Sequence, residues 1–208
     1  MAKIYLISPP KIEEKTFYNQ LEQALKTGLV PVFQLRLKDY SNSQILNISR
    51  QIKKICNDHK CLFILNDYVD LAIEINAGGV HVGIDDYKIT EIRKKVSKDF
   101  VIGASCYDSR HYAMKAGEAG ADYISFGAFY PTSTKIARAN PSVEILLWAN
   151  EMLNLQIVAI GGINDKNAYD LVKNGADFIA VISYVWNHPQ GVERSLKKLS
   201  NSIFNDQN

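Results

Sequence analysis

Val30-Pro31-Val32-Phe33-Gln34-Leu35-Arg36-Leu37-Lys38 is the stretch from which the rest of the chain is read. It begins as an apolar β-type run, and side chains along a strand alternate between two faces. Phe33, Leu35 and Leu37 share one face, suited to burial against helices; Val32, Gln34, Arg36 and Lys38 share the other. That second face ends in two cations about 7 Å apart, at a rise of ~3.3 Å per residue. Such a row is costly inside a sheet unless something negative stands opposite. Alone, the fragment reads as an edge strand with a solvated polar face. An anion cradle fits the whole chain better, because the strands that follow also end in polar or glycine-rich groups.

Strand-like and helix-like segments alternate throughout, which predicts a parallel sheet. Lys3 to Ile7 reads as a first strand. Phe17, Leu21, Ala24 and Leu25 then stand at helical spacing, closed by Gly28 as a C-cap. Val30 to Arg36 is the second strand, and a helix from about Ser43 to Asn57 carries Ile45, Ile48, Ile52 and Ile55. Cys61 to Leu65 is the third strand, ending at Asn66-Asp67, and Gly78 to Gly83 the fourth, ending near Asp85-Asp86. A helix over Ile89–Val96 precedes the strand Phe100–Gly103, which leads to Ser105. A helix over His111–Ala119 precedes the strand Tyr123–Phe126. The loop from Gly127 holds Pro131-Thr132-Ser133-Thr134-Lys135. Val143 to Leu153 is helical, Gln156 to Ile160 is the seventh strand, and Asn164 is expected to N-cap a helix ending at Lys173. Phe178 to Ile182 is the eighth strand, with a final helix from Val192 to Ile203.

Three helix-to-strand turns echo one another: Asn76-Ala77-Gly78-Gly79-Val80, Ala119-Gly120-Ala121-Asp122-Tyr123 and Asn174-Gly175-Ala176-Asp177-Phe178. The reading is α/β, a single (β/α)8 TIM barrel occupying residues 1–208. A doubly wound open sheet is the runner-up, without a Gly-x-Gly-x-x-Gly fingerprint after an early strand.

Composition agrees with an ordinary soluble globular protein. The chain is 47% hydrophobic and 22% charged, with a net charge of +2 and no long basic block, which argues against nucleic acid as a partner. The apolar runs are far shorter than a membrane span. Cys56, Cys61 and Cys106 are odd in number and lack metal-type spacing, so they read as reduced thiols of a cytoplasmic protein. Composition leaves oligomeric state open, including a homo-oligomer.

In such a barrel the strand C-termini line the mouth. Asp67 and Asp86 there could share a hard divalent cation such as Mg2+, with phosphate oxygens and water completing the shell. Either carboxylate alone reads as a turn or helix cap; their placement after neighbouring strands is what points to a metal. Arg36, Lys38 and Lys135 could neutralise remaining phosphate charge, Arg36 bidentately. Gly161-Gly162 and Ile182-Ser183 follow the last two strands, where barrels often bind a phosphate monoester. His81, alone in an apolar strand, reads first as a hydrogen-bonded core residue. No nucleophile–base pair is visible in the spacing.

Eight stretches together resemble the thiamine-phosphate synthase family. They are Gln34 to Lys38; Leu65-Asn66-Asp67; Gly79 to Gly83 with Asp86; Ile102 to Ser105; Gly120 to Ile124; Phe126 to Lys135; Ala159 to Ile163; and Gly175 to Ser183. The Thr-x-Thr-Lys loop with Gln-x-Arg-x-Lys is the specific part. The resemblance implies a transferase of thiamine biosynthesis that joins hydroxymethylpyrimidine diphosphate to hydroxyethylthiazole phosphate and releases diphosphate. It implies that Gln34, Arg36, Lys38, Asn66 and Lys135 hold the diphosphate and that Asp67 and Asp86 bind Mg2+. Ser105 would contact the leaving group. Thr132, Thr134, Gly162, Ile182 and Ser183 would hold the thiazole phosphate, with His81 near the pyrimidine.

Two positions depart from the family pattern: Ile84 stands where glutamine is usual and Tyr68 where arginine is usual. The segment after Lys135 also lacks the usual Pro/Gly-rich continuation. Two other activities compete with this reading. One is a thiazole tautomerase-like isomerase on the same barrel, which needs neither the paired carboxylates nor Lys135. The other is a phosphate-ligand-binding barrel without catalysis.

Overall fold

The computed structural model describes residues 2–83, 88–132 and 139–204. Eight parallel strands close into a barrel in sequence order: β1 (Lys3–Ile7), β2 (Val32–Leu35), β3 (Leu62–Asn66), β4 (Gly79–Gly83), β5 (Val101–Tyr107), β6 (Tyr123–Phe126), β7 (Gln156–Ile160) and β8 (Phe178–Val181). The helices are α1 (Glu14–Lys26), α2 (Asn42–Asp58), α3 (Val69–Glu74), α4 (Ile89–Lys95), α5 (Arg110–Glu118), α6 (Glu144–Met152), α7 (Ala168–Lys173), α8 (Ser183–Trp186) and α9 (Val192–Phe204). The expected (β/α)8 barrel is what the chain forms. None of the helices among the described residues is long and apolar enough to cross a membrane.

Alternation along each strand divides the apolar residues into two cores. Phe33, Leu35 and Leu37 lie with Phe17 and Leu21 of α1 and Ile45, Ile48 and Ile52 of α2 in the outer core between barrel and helices. A second cluster fills the barrel axis: Tyr5, Ile7, Val32, Ile64, Tyr123, Val158 and Ala180. Moving along the axis toward the strand C-termini, these give way to Gln34, Asn66, His81 and Ser125, all buried. Hydrocarbon thus closes one end of the barrel, and polar groups face the other.

The Gly-Ala-Asp turns belong to the closed end. Asp122 Oδ2 accepts the N–H of Ile102 at 2.7 Å, and Asp177 Oδ2 accepts that of Ile157 at 2.8 Å. Each carboxylate satisfies a strand-starting donor on the neighbouring strand, so the repeat serves barrel closure.

Element ends shift by a residue or two from the expected ranges, and four differences go further. Asn164 is not the N-cap of α7: its side chain accepts from Lys166 N at 2.8 Å, forming a local turn. That turn competes with helix initiation, and α7 starts only at Ala168. Strand β5 continues past Gly103 to Tyr107, with an irregular register against β6 between Ser105 and Tyr107. Tyr107 there has φ 57°, the left-handed bend of a bulged strand. The short helix α8 had no signal in its four residues, and Ile55, expected on the buried stripe of α2, is only partly buried.

Candidate active site

The open end of the barrel holds a cavity of about 480 Å³. Of the residues expected to form the site, Gln34, Arg36, Lys38, Asn66, Asp67, His81, Ser105, Thr132, Gly162, Ile182 and Ser183 all line it. Asp86, Thr134 and Lys135 lie outside the described residues, as does Ile84.

The rim cations leave β2 in an ordered way. Strand pairing stops at Leu35, and Ser8, 1% exposed at the end of β1, takes over. Its Oγ accepts the Arg36 N–H at 2.9 Å, while its own N–H donates to Gln34 O at 2.9 Å. Arg36 is therefore held beside the mouth by a side chain that sequence reading passed over; the Ser8-Pro9-Pro10 break after the first strand is the signal that marks it. Burial pulls the Arg36 guanidinium below its ordinary range, and the Asp67 carboxylate opposes that effect. The anionic partner that a row of cations required is in place.

Asp67 follows β3 with φ 66°, a left-handed conformation that Asp and Asn adopt more readily than other side-chain residues. Its carboxylate stands 4.0 Å from Lys38 Nζ. Tyr68 next to it packs against the outer core, and its hydroxyl donates to Leu37 O at 3.5 Å. Where the resembled family places a cation, this chain has a long tether between the loops after β2 and β3. Burial, then the nearby Asp67 charge, raises the Tyr68 phenol above its usual range.

Deeper lies a chain of four hydrogen bonds. Gln34 Nε2 donates to Tyr5 Oη at 2.9 Å, and the Tyr5 and Tyr123 hydroxyls are 2.7 Å apart. Tyr123 Oη is 2.9 Å from His81 Nδ1, and His81 Nε2 is 2.8 Å from Ser105 Oγ. His81 is thus a polar residue of the floor, bonded at both nitrogens. Burial raises both phenols. Tyr5 and Tyr123 were missed from sequence because each sits in an apolar strand and reads as packing. Their inward positions in the alternation, Tyr5 beside Ile7 and Tyr123 beside Ser125, are the signal that finds them.

Opposite the cations, the turn after β7 is clamped from both sides. Tyr130 N donates to Gly161 O at 3.1 Å, and Asn167 Nδ2 donates to Gly162 O at 3.1 Å. Gly162 has φ 64°, and a Cβ there would fall on Pro131 O and within 2.8 Å of the Tyr130 backbone. Its glycine is required by the crossing of its own chain, which then leaves the turn facing the cavity. Ser183 begins α8 beside it, and Trp186 of α8 donates to Ile7 O at 2.7 Å, fixing that corner to β1.

Fold and mouth together define a parallel α/β barrel whose strand C-termini bear cations, a carboxylate and a glycine turn, the equipment of a phosphate-handling enzyme. The chain belongs to the thiamine monophosphate synthase family, whose model matches residues 4–185. It is 46% identical to the thiamine-phosphate synthase of Rhodospirillum centenum over 190 residues, covering 91% of this chain and 92% of that protein. It is 43% identical to that of Pelagibacter ubique, covering 89% of each. Among solved structures, thiamine phosphate pyrophosphorylase from Pyrococcus furiosus is 32% identical with a TM-score of 0.83, covering 97% of this chain and 95% of that one. A 3-hexulose-6-phosphate synthase shares the fold alone, at 14% identity and a TM-score of 0.68.

Proposed function

We propose that this chain is a Mg2+-dependent transferase that couples hydroxymethylpyrimidine diphosphate to hydroxyethylthiazole phosphate, forming thiamine phosphate and releasing diphosphate. Family membership supports the reaction. The observation that carries the mechanism is the meeting of Arg36 and Lys38 with Asp67 above a floor of neutral hydrogen-bonding groups.

Arg36 and Lys38 take the diphosphate oxygens, the guanidinium through two parallel N–H bonds. Asp67 offers hard anionic oxygen beside them, which suits Mg2+, and Asp86 is its expected co-ligand. Among the described residues, no group of three or more His, Cys, Asp or Glu could hold a metal unaided. Magnesium characteristically needs only one or two carboxylates, with substrate oxygens and water completing the shell. When bound, the ion supplies charge neutralisation on the diphosphate.

The chemistry breaks the C–O bond between the pyrimidine methylene and diphosphate, and the electron pair departs with the diphosphate. Arg36 and Lys38 stabilise the charge that grows on the departing oxygens, more strongly than in the ground state. Asn66 and Ser105 contribute neutral donors at the same level, and Lys135 is the further cation expected there. Gln34 and His81 belong to the hydrogen-bonded floor below the cations; Gln34 is the further diphosphate contact expected there, and His81 the residue expected near the pyrimidine. The thiazole nitrogen then donates its lone pair to the methylene cation, forming the C–N bond. That nitrogen carries no proton, so no general base is required. Thr132, Gly162, Ile182 and Ser183 hold the thiazole phosphate, with Thr134 as their expected partner. The three buried thiols accord with a cytoplasmic setting.

A thiazole tautomerase-like isomerase needs neither the paired carboxylates nor the lysine of the Thr-x-Thr-Lys loop, so the presence of Asp67, Asp86 and Lys135 in this chain favours the transferase. Incubation with both substrates and Mg2+, followed by mass spectrometry, tests the reading: thiamine phosphate and diphosphate should appear together. Isomerisation of a thiazole carboxylate, or binding of both substrates without product, would replace it.

A further inference from the structure

We propose that Tyr5 and Tyr123 are positioning residues that fix His81 with its proton on Nε2, so that Ser105 accepts from the imidazole and turns its own hydroxyl proton into the mouth. The inference deepens the reading above and rests on it for the identity of the anion that Ser105 meets.

The number of protons along the chain of hydrogen bonds fixes its direction. A tyrosine or serine hydroxyl has one proton to donate, and a neutral imidazole has one donor nitrogen and one acceptor. Gln34 donates to Tyr5, so the Tyr5 proton is available to Tyr123, its other partner. If Tyr123 donated to Tyr5 instead, the Tyr5 proton would be buried without an acceptor, at the full cost of a lost hydrogen bond. Tyr123 therefore spends its proton on His81 Nδ1, leaving the imidazole proton on Nε2, 2.8 Å from Ser105 Oγ. Ser105 receives that proton's bond and keeps its own O–H for the cavity.

The opposite order needs the Gln34 amide turned so that its Oε1 accepts from Tyr5, and ends with the Ser105 proton locked into His81. Ser105 would then present only lone pairs to a mouth whose cations are arranged for an anion. The two phenols are fit for the first order, since burial keeps them protonated.

A second observation comes from Gly103 on β5. A Cβ at that position would fall on the Tyr123 ring, at Cζ and at the hydroxyl oxygen. The strand is bare where the phenol lies across it, so the seat of Tyr123 is built into the neighbouring strand. Tyr123 also lies nearly parallel to the imidazole, with ring centroids 5.5 Å apart at 28°. Two contacts thus set the plane of His81 as well as its tautomer.

The test is nitrogen NMR of the resting protein with ring-labelled histidine. It is run at about pH 8, above the ordinary imidazole range of about 6.5. His81 is one of four histidines and is assigned by loss of its signals in His81→Gln. The expected wild-type spectrum shows Nδ1 unprotonated and Nε2 protonated. In Tyr123→Phe the Nδ1 loses its donor, and the spectrum should move toward the other tautomer or a mixture. The same variant should lower kcat by about tenfold with KM changed by less than about twofold, the scale of one buried hydrogen bond acting in the transition state. Tyr5→Phe leaves Tyr123 its proton and should cost kcat no more than about threefold. A proton on Nδ1 in the wild type overturns the proposal, as does an unchanged tautomer in folded Tyr123→Phe. Should that variant not fold, the wild-type spectrum decides alone. The spectrum needs no substrate, so a protein that makes no thiamine phosphate would refute the functional reading while leaving this one to its own result.

Discussion

Lys38 Nζ stands 4.0 Å from Asp67 Oδ2 at the edge of the barrel mouth, and the two come from neighbouring strand ends. Both side chains are partly exposed, at 58% and 31%, and a pair of that kind stabilises a fold by only about 0–1 kcal/mol. Its meaning lies in placement: a carboxylate able to take a divalent ion sits beside cations able to take phosphate. Asp67→Asn removes the charge and keeps the backbone, because asparagine also tolerates the left-handed φ of 66°. The rate of diphosphate release should fall by about a hundredfold or more, while the thermal midpoint moves by no more than a few degrees. Assay and melting curve together check it; equal losses of rate and stability would make Asp67 a structural residue.

Arg36 should be irreplaceable by lysine. The substitution keeps the charge and loses the planar fork, so kcat should drop by about ten- to a hundredfold with folding intact. Ser8→Ala, which strips the acceptor from the Arg36 N–H, should cost about 1–3 kcal/mol in urea unfolding. Arg36→Lys at wild-type rate would place the diphosphate elsewhere.

Gly162 and Gly28 separate conformational strain from crowding. Both have positive φ, 64° and 69°, yet a Cβ at Gly28 meets nothing within 4 Å while one at Gly162 meets the Tyr130–Pro131 backbone. Gly28→Ala should cost about 1–2 kcal/mol and leave catalysis alone. Gly162→Ala should cost more, and should raise KM for the thiazole phosphate by about tenfold or more, because the turn must move off the cavity wall. Steady-state kinetics on the pair decides between them.

Stability should fall in alkali. Burial pushes the Cys106 thiol up from 9.0 to about 12. Cys56 moves the same way through its contact with Cys61 and then burial, and burial raises Tyr5 and Tyr123 too. For each group the folded state holds a proton that the unfolded chain gives up sooner. Their stabilisation is complete below the unfolded value and is lost as pH rises from about 9 toward 12. The urea midpoint should therefore be lower at about pH 10 than at about pH 8. At about pH 8 a thiol reagent should find no reactive cysteine until denaturant is added, since all three are buried. A midpoint that rises with pH would contradict these assignments.

The barrel was readable because its signals are periodic and redundant. Phe33 and Leu35 point to helices while Gln34 points to the axis, as alternation requires, and Phe17, Leu21, Ala24 and Leu25 are the buried face of α1. The mouth was readable where chemistry is concentrated at strand ends, in Arg36, Lys38, Asn66, Asp67 and Gly162. Tyr5, Tyr123 and Ser8 were not, because a phenol or hydroxyl in an apolar strand looks like packing until register sets it beside a partner more than 100 residues away, as with Tyr5 and Tyr123. Asn164 misled for a local reason: the oxygen that could cap a helix instead closed a turn on Lys166. The glycines of the β7 turn were expected to admit a ligand, and Gly162 proves to be required first by the Tyr130–Pro131 segment it crosses.

In the proposed mechanism Arg36 and Lys38, with a divalent ion at Asp67, draw diphosphate away from the pyrimidine methylene. Diphosphate release by the wild-type protein, followed with both substrates in Mg2+ and again in excess chelator, tests it most directly. Release that requires Mg2+ and returns when the ion is restored is the predicted result. Undiminished turnover in chelator would contradict it.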